Sequence, residues 1–147
     1  MTDFMSAQQR SRAMSHVRGS ESQLEKLVRS GLHRRGFRFR KNVKGLPGRP
    51  DIVLPKYNAV VFVHGCFWHG HDGCPAGKLP QANAEFWADK IAASAERDRR
   101  QTAELRRLGW RVAVVWGCAV RRDAGAVLEK LAAWLNSTDV DVVIDRP

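Results

Sequence analysis

Three rhythms of apolar and polar residues run along this chain. Over residues 20–36, Leu24, Leu27, Val28 and Leu32 recur at helical spacing and predict a helix burying those four side chains. Ser20 or Ser22 can cap its start, with Gln23 or Glu25 three residues on, and Gly36 can end it. Glu25 falls at the edge of the stripe, where a helix carboxylate is ordinarily solvated. Phe37-Arg38-Phe39-Arg40 alternates with period two and reads as a half-buried strand, followed by loop formers over residues 44–50. Residues 51–54 and 59–63 are short apolar runs separated by a turn, which predicts an antiparallel pair. Counting register from that turn sets Leu54 opposite Ala59 and Asp51 opposite Phe62. Asp51 therefore lies at the hairpin end from which His64 emerges.

Further on, Asn83 can cap a long helix carrying Phe86, Trp87, Ile91, Ala95, Leu105 and Leu108 and stopping at Gly109. Its middle, Glu96-Arg-Asp-Arg-Arg100, is charged enough to predict a solvated face. Residues 111–116 suit a strand covered on both faces. Asp123 can cap a last helix with Val127, Leu128, Leu131 and Leu135 inside, and residues 139–144 read as a weak edge strand. A strand, a long helix and a strand in succession predict a parallel, neighbouring pair. The expectation is one α/β domain over residues 20–147, behind a basic arm over residues 1–19.

Charge narrows the partner. With 25 Lys and Arg against 15 Asp and Glu, the net charge of +10 favours a polyanion, and nucleic acid is the commonest. No 18-residue apolar run and no leader-like segment is present, so a cytoplasmic protein without membrane contact is expected.

The chemistry concentrates in VVFVHGCFWHGHDGCP, residues 60–75. Two apolar strands each end in Gly-Cys, at Cys66 and Cys118, and parallel neighbours about 4.8 Å apart could bring those thiols together. Cys74 and one of His69 or His71 would complete a tetrahedral Zn²⁺ site. Spacing does not choose between the histidines. If one histidine binds zinc, the other is free near Asp51, which gives a closed structural zinc beside a separate reactive site; a catalytic zinc with an open position is the competing arrangement. Phe67 and Trp68 sit inside this loop, either as core or as wedges between DNA bases.

Leu46-Pro-Gly-Arg-Pro-Asp51, Phe62-x-His-Gly-Cys-Phe-Trp-His69, Phe86-Trp87-x-x-Lys90-Ile91, Glu96-Arg-Asp-Arg-Arg100 and Leu108-Gly-Trp-Arg-Val112 with Val115-Trp-x-Cys118 together resemble the very-short-patch-repair (Vsr) DNA mismatch endonucleases. The resemblance implies a restriction-endonuclease-like α/β fold with a central mixed β-sheet flanked by helices and a structural zinc site. It implies Mg²⁺-dependent nicking of double-stranded DNA on the 5′ side of the thymine in a T:G mismatch, which arises when 5-methylcytosine deaminates. It further implies zinc held by Cys66, His71, Cys74 and Cys118, and magnesium held by Asp51 and the Val63 carbonyl. His69 would be the general base, with Glu25 and His64 in support, and Met14, Phe67, Trp68 and Trp87 would intrude beside the mismatch. A monomer and a MutL-type repair partner go with that family. Two other readings remain open from the residues: a zinc-stapled DNA-binding module without catalysis, and a nuclease of the same fold with another DNA target.

Overall fold

The computed structural model describes residues 22–41 and 43–146. It is a five-stranded sheet in the order β1-β2-β3-β4-β5, layered between helices. The strands are β1 (Arg40–Lys41), β2 (Ile52–Leu54), β3 (Ala59–His64), β4 (Arg111–Trp116) and β5 (Asp141–Ile144). The helices are α1, helical through residues 22–34, α2 (Ala84–Arg107) and α3 (Gly117–Leu135). The expected arm and Met14 lie outside the described residues, as does Ser20.

The sheet is mixed because its connections differ in length. β1, β2 and β3 pair antiparallel through short links, whereas α2 carries the chain across to β4, which runs parallel to β3 and β5. Register follows the expectation: Leu54 faces Ala59 in the hairpin, and His64 lies opposite Trp116 across the parallel pair. Alternate residues of β3 and β4 supply two cores. Val61, Val63, Ala113 and Val115 pack against Leu24, Val28 and Leu32 of α1 and Val127, Leu128 and Leu131 of α3. On the opposite face, Val60, Phe62 and Val112 pack against Leu105 of α2. Among the described residues no helix is long and apolar enough to cross a membrane.

Local chemistry sets the ends of these elements. Gly36, at φ +88°, lets Phe37 N–H reach the Leu32 carbonyl at 3.1 Å while its own N–H reaches His33 at 3.0 Å, closing α1. Arg111 ties the start of β4 to the end of α3. Its guanidinium donates to the Trp134 and Ser137 carbonyls at 2.6 and 3.0 Å and lies 4.5 Å over the Trp134 ring.

Several expectations need correction. Leu27 is 47% exposed, so the stripe of α1 is the narrower i, i+4, i+8 row of Leu24, Val28 and Leu32. Phe37 and Phe39 enter the core from coil rather than strand, and among the described residues of this segment Arg40 and Lys41 are the ones that pair with β2. In α2 only Ile91 and Leu105 are buried, while Phe86 and Leu108 face outward at its two ends. Asn83 takes a left-handed conformation and makes no side-chain cap. A first helical segment begins at Gly117, directly after β4. The backbone breaks at Asp123, whose carboxylate accepts from Ala126 N–H at 3.0 Å and caps the second segment.

Candidate active site and metal centre

Where the hairpin ends, the backbone itself builds the first half of a site. Asp51 precedes β2, and its Oδ2 accepts the Val63 N–H at 2.6 Å. A strand residue turns its N–H and C=O to the same edge, so the Val63 carbonyl also faces the carboxylate. Glu25 of α1 lines the same cleft, its side chain 26% exposed, which overturns the solvated reading of this helix carboxylate. Burial pushes the Asp51 carboxyl up to about 7, and the Glu25 charge pushes the same way, against the Val63 hydrogen bond and His69. Two carboxyl groups facing each other in a half-closed cleft repel unless a proton or a cation joins them.

The second half comes from the loop after β3 and from α2. His69 Nδ1 lies 2.6 Å from Asp98 Oδ2. With the proton on Nδ1, the imidazole donates to the carboxylate and keeps Nε2 free to accept. Burial of Asp98 raises its carboxyl, but the His69 hydrogen bond and the nearby charges outweigh this and hold it below the usual range. His64, 8% exposed, stacks flat on His69 with ring centroids 3.8 Å apart and planes within 1°. Burial first, and then His69, push His64 down to about 3, so it stays neutral. His64, His69 and Asp98 lie close together, and His69 Nδ1 and Asp98 Oδ2 are joined by their hydrogen bond. Asp51, Glu25, His64, His69 and Asp98 line one cleft of about 490 Å³, with Arg49 and Arg97 beside them.

Asp98 is the residue that the charge run concealed. The exposed Glu96–Arg99 pair, 2.5 Å apart, fits the solvated face expected of that run. Asp98 turns the other way. The signal was present in the spacing: Ile91, Asp98 and Leu105 are seven residues apart, and both neighbours of Asp98 in that series are buried.

Beside the cleft, Cys66, His71, Cys74 and Cys118 bring their donor atoms within 4.8 Å of one another. Three loop donors converge because the backbone folds back on itself: His71 N–H donates to the Cys66 carbonyl at 2.9 Å, and Gly77 N–H to the Cys74 carbonyl at 2.9 Å. Cys118 arrives from the first turn of α3, its Sγ 3.5 Å from His71 Nδ1. Burial pushes the Cys66 thiol up to about 12 and, with the Cys74 thiol, holds Cys118 high. Cys74 is held low: burial opposes this, but the Ala76 and Gly77 amides and the two neighbouring sulfurs outweigh it. Three thiols and an imidazole in this arrangement could hold a tetrahedral metal ion such as zinc. The structure therefore brings His71, not His69, to the sulfurs.

Gly77 closes this knot. A Cβ there would stand 2.7 Å from the His71 carbonyl oxygen and 3.1 Å from that of Cys66, both backbone atoms that cannot swing aside. Gly77→Ala is expected to weaken metal retention at least about tenfold, measured by competition with a chromogenic chelator. Unchanged affinity would mean that the loop yields freely.

The aromatic residues gather on the outer side of the loop. Phe67 is 7% exposed, packed 5.1 Å from Trp68 and 5.5 Å from Trp87, with Phe86 outermost. Lys90 Nζ lies 5.6 to 5.9 Å from the Trp87, Trp68 and Phe86 rings. Phe67, Trp68 and Trp87 are thus one cluster, with Phe67 at its inside.

Known proteins match this chain along most of its length. The sequence model of the family described as DNA mismatch endonuclease Vsr matches residues 2–75. The type II nicking enzyme V.XorIIP of Xanthomonas oryzae is 50% identical over 131 residues, covering 89% of this chain and 95% of that protein. The DNA mismatch endonuclease Vsr of Escherichia coli is 40% identical over 149 residues, covering 99% and 95%. The type II nicking enzyme V.NmeAIP of Neisseria meningitidis is 46% identical over 124 residues, covering 84% and 88%.

Proposed function

The chain belongs to the DNA mismatch endonuclease Vsr family and is a DNA endonuclease, and from that premise we propose that it nicks one strand of duplex DNA 5′ to the thymine of a T:G mismatch, with magnesium. The observation that carries this reading is the single cleft joining the Asp51–Glu25 pair to the His69–Asp98 pair. A non-catalytic DNA-binding module has no use for a carboxylate raised to about 7 beside an imidazole oriented by a second carboxylate. We read the mixed sheet, with Asp51 at the mouth of its hairpin, as a restriction-endonuclease-like fold.

Asp51 and the Val63 carbonyl would hold magnesium, with Glu25 supporting; the bound ion supplies charge against the scissile phosphate and the leaving oxygen. Phe62-Val63-His64 stands where related nucleases carry an acidic-x-Lys triplet, so a base must come from elsewhere. His69 fills that role by accepting the proton of the attacking water at Nε2 while Asp98 holds Nδ1. His64 supports the His69 ring as a neutral neighbour. Cys66, His71, Cys74 and Cys118 would hold the structural zinc. Arg49, Lys90 and Arg97 contribute phosphate contacts that carry no sequence information. Phe67, Trp68 and Trp87, with Met14, would enter the base stack at the mismatch, which requires the aromatic cluster to part as the DNA docks.

A hairpin duplex carrying one T:G pair tests the proposal. Magnesium-dependent nicking of the thymine strand at that pair is expected, and no nicking of the T:A duplex. Cleavage of matched DNA or of another mismatch would assign a different target; binding without nicking by both the parent and Asp51→Ala would make the protein a binding module. Asp98→Asn keeps the size of the side chain but loses its charge. Nicking is expected to fall about 10- to 100-fold, with mismatch affinity within about twofold of the parent. A parent-like single-turnover rate would remove Asp98 from the mechanism.

A further inference from the structure

The metal centre and the catalytic histidine are joined by a continuous file of rings. His71 lies flat on Trp116, with centroids 4.2 Å apart and planes within 9°. Trp116 meets His64 edge-on at 5.3 Å and 75°, and His64 lies flat on His69 at 3.8 Å. The file exists because of register: Trp116 ends β4 directly opposite His64, the last residue of β3.

We infer that Trp116 is a positioning residue, through which the metal centre fixes the plane of the His69 imidazole and so the direction of Nε2. The inference rests on the proposed role of His69 as the base. Asp98 holds His69 at a single atom, Nδ1, which restrains one edge of the ring and leaves the far edge, with Nε2, freedom to tilt. The terminal torsion of histidine is broad and resists little. The flat stack with His64 removes this freedom, but His64 has the same soft torsion and needs a stop of its own. Trp116 provides the stop with its edge. Its opposite contact is His71, whose ring a bound metal would lock. Phe62 shares this support, its ring 5.6 Å from that of His64 and tilted by 51°, and Trp116 adds the link to His71. A cleft of about 460 Å³ opens beside the rings, between Ala95, Thr102, Val114 and Val143, so the histidines have space to turn on that side. A base displaced by about 1 Å can lose about 100-fold in rate, so a small rotation is enough to matter.

The test uses the full chain loaded with zinc, under single-turnover conditions on the T:G hairpin. Trp116→Leu is expected to slow nicking about 10- to 100-fold while mismatch affinity stays within about twofold and zinc remains at one equivalent. Trp116→Met, apolar and without a ring, should behave the same way, so the result does not hang on one variant folding. Trp116→Phe keeps a ring against both histidines and should recover at least about half of the parent rate. In ¹⁵N spectra of the imidazoles, the His69 ring signals should broaden in the leucine and methionine variants and sharpen again in the phenylalanine one. Parent-like nicking by the leucine or methionine variant would overturn the inference, as would a rate loss matched by loss of zinc or no recovery with phenylalanine. His69→Ala separates the two layers: full activity there removes the base itself. An inactive His69→Ala beside an active Trp116→Leu removes only the relay.

Discussion

Asp51→Asn is expected to lower nicking by about 1,000-fold or more while the protein still binds the mismatch. The same change should make the protein more stable in mild alkali, and the sign follows from the protonation of this carboxyl. Burial, with the Glu25 charge, lifts Asp51 to about 7 in the folded chain, against about 3.9 for an unfolded aspartate. The folded state therefore binds this proton more tightly. Its stabilising contribution is fully present below about pH 4 and is lost as pH rises through about 7, on the order of a few kcal/mol. Asparagine carries no charge to bury. The variant should melt above the parent at pH 8, and the difference should close as pH approaches 4. Magnesium should narrow the gap at pH 8 by raising the parent alone. Thermal denaturation at both pH values, with and without magnesium, reads all of this. A variant no more stable than the parent at pH 8 would contradict the buried-charge account.

Removing the zinc proposed at Cys66, His71, Cys74 and Cys118 should be more damaging still. Without an ion, the buried Cys66 thiol, raised to about 12, stays protonated, and the sulfurs have nothing to hold them together. Nicking should disappear on chelation and the melting temperature should fall by about 10 °C or more. Cys118→Ser should reproduce most of this loss, because that donor alone comes from beyond the loop and fastens it to α3. Since thiolates are the ligands, reloading with zinc should release protons, and affinity should weaken as pH falls. Calorimetry in buffers of different ionisation enthalpy measures the release. A chelated protein that melts with the holoprotein would show that the cluster holds no structural ion.

Much of this site can be read from the chain because short connections leave few choices. The turn between β2 and β3 fixes register, and register alone carries Asp51 to the side of Val63. The repeated Gly-Cys endings place Cys66 and Cys118 together once β3 and β4 are parallel. The choice of His71 over His69 was not readable from spacing, because it depends on how the loop folds back at residues 66–77. Asp98 was hidden by composition: among four charged neighbours, its place in the row of Ile91 and Leu105 is easily passed over. Phe86 shows the converse case. Aromatic residues near a helix start suggest core, yet here they cover the outside of a loop cluster that Lys90 overlies. Ring contacts between strands, such as Trp116 with His64, become visible only when pairing is known.

The parallel pairing of β3 with β4 also bears on the order in which the protein assembles. Cys66, His71 and Cys74 are neighbours along the chain, whereas Cys118 lies beyond all of α2. Closing a short loop is fast, and contacts across long stretches of chain form late. An ion captured during synthesis thus meets three donors first and a fourth only after the crossover helix has docked. The nascent chain would carry its metal before it possesses a nuclease, and the last sulfur to bind would mark the moment at which the catalytic cleft closes.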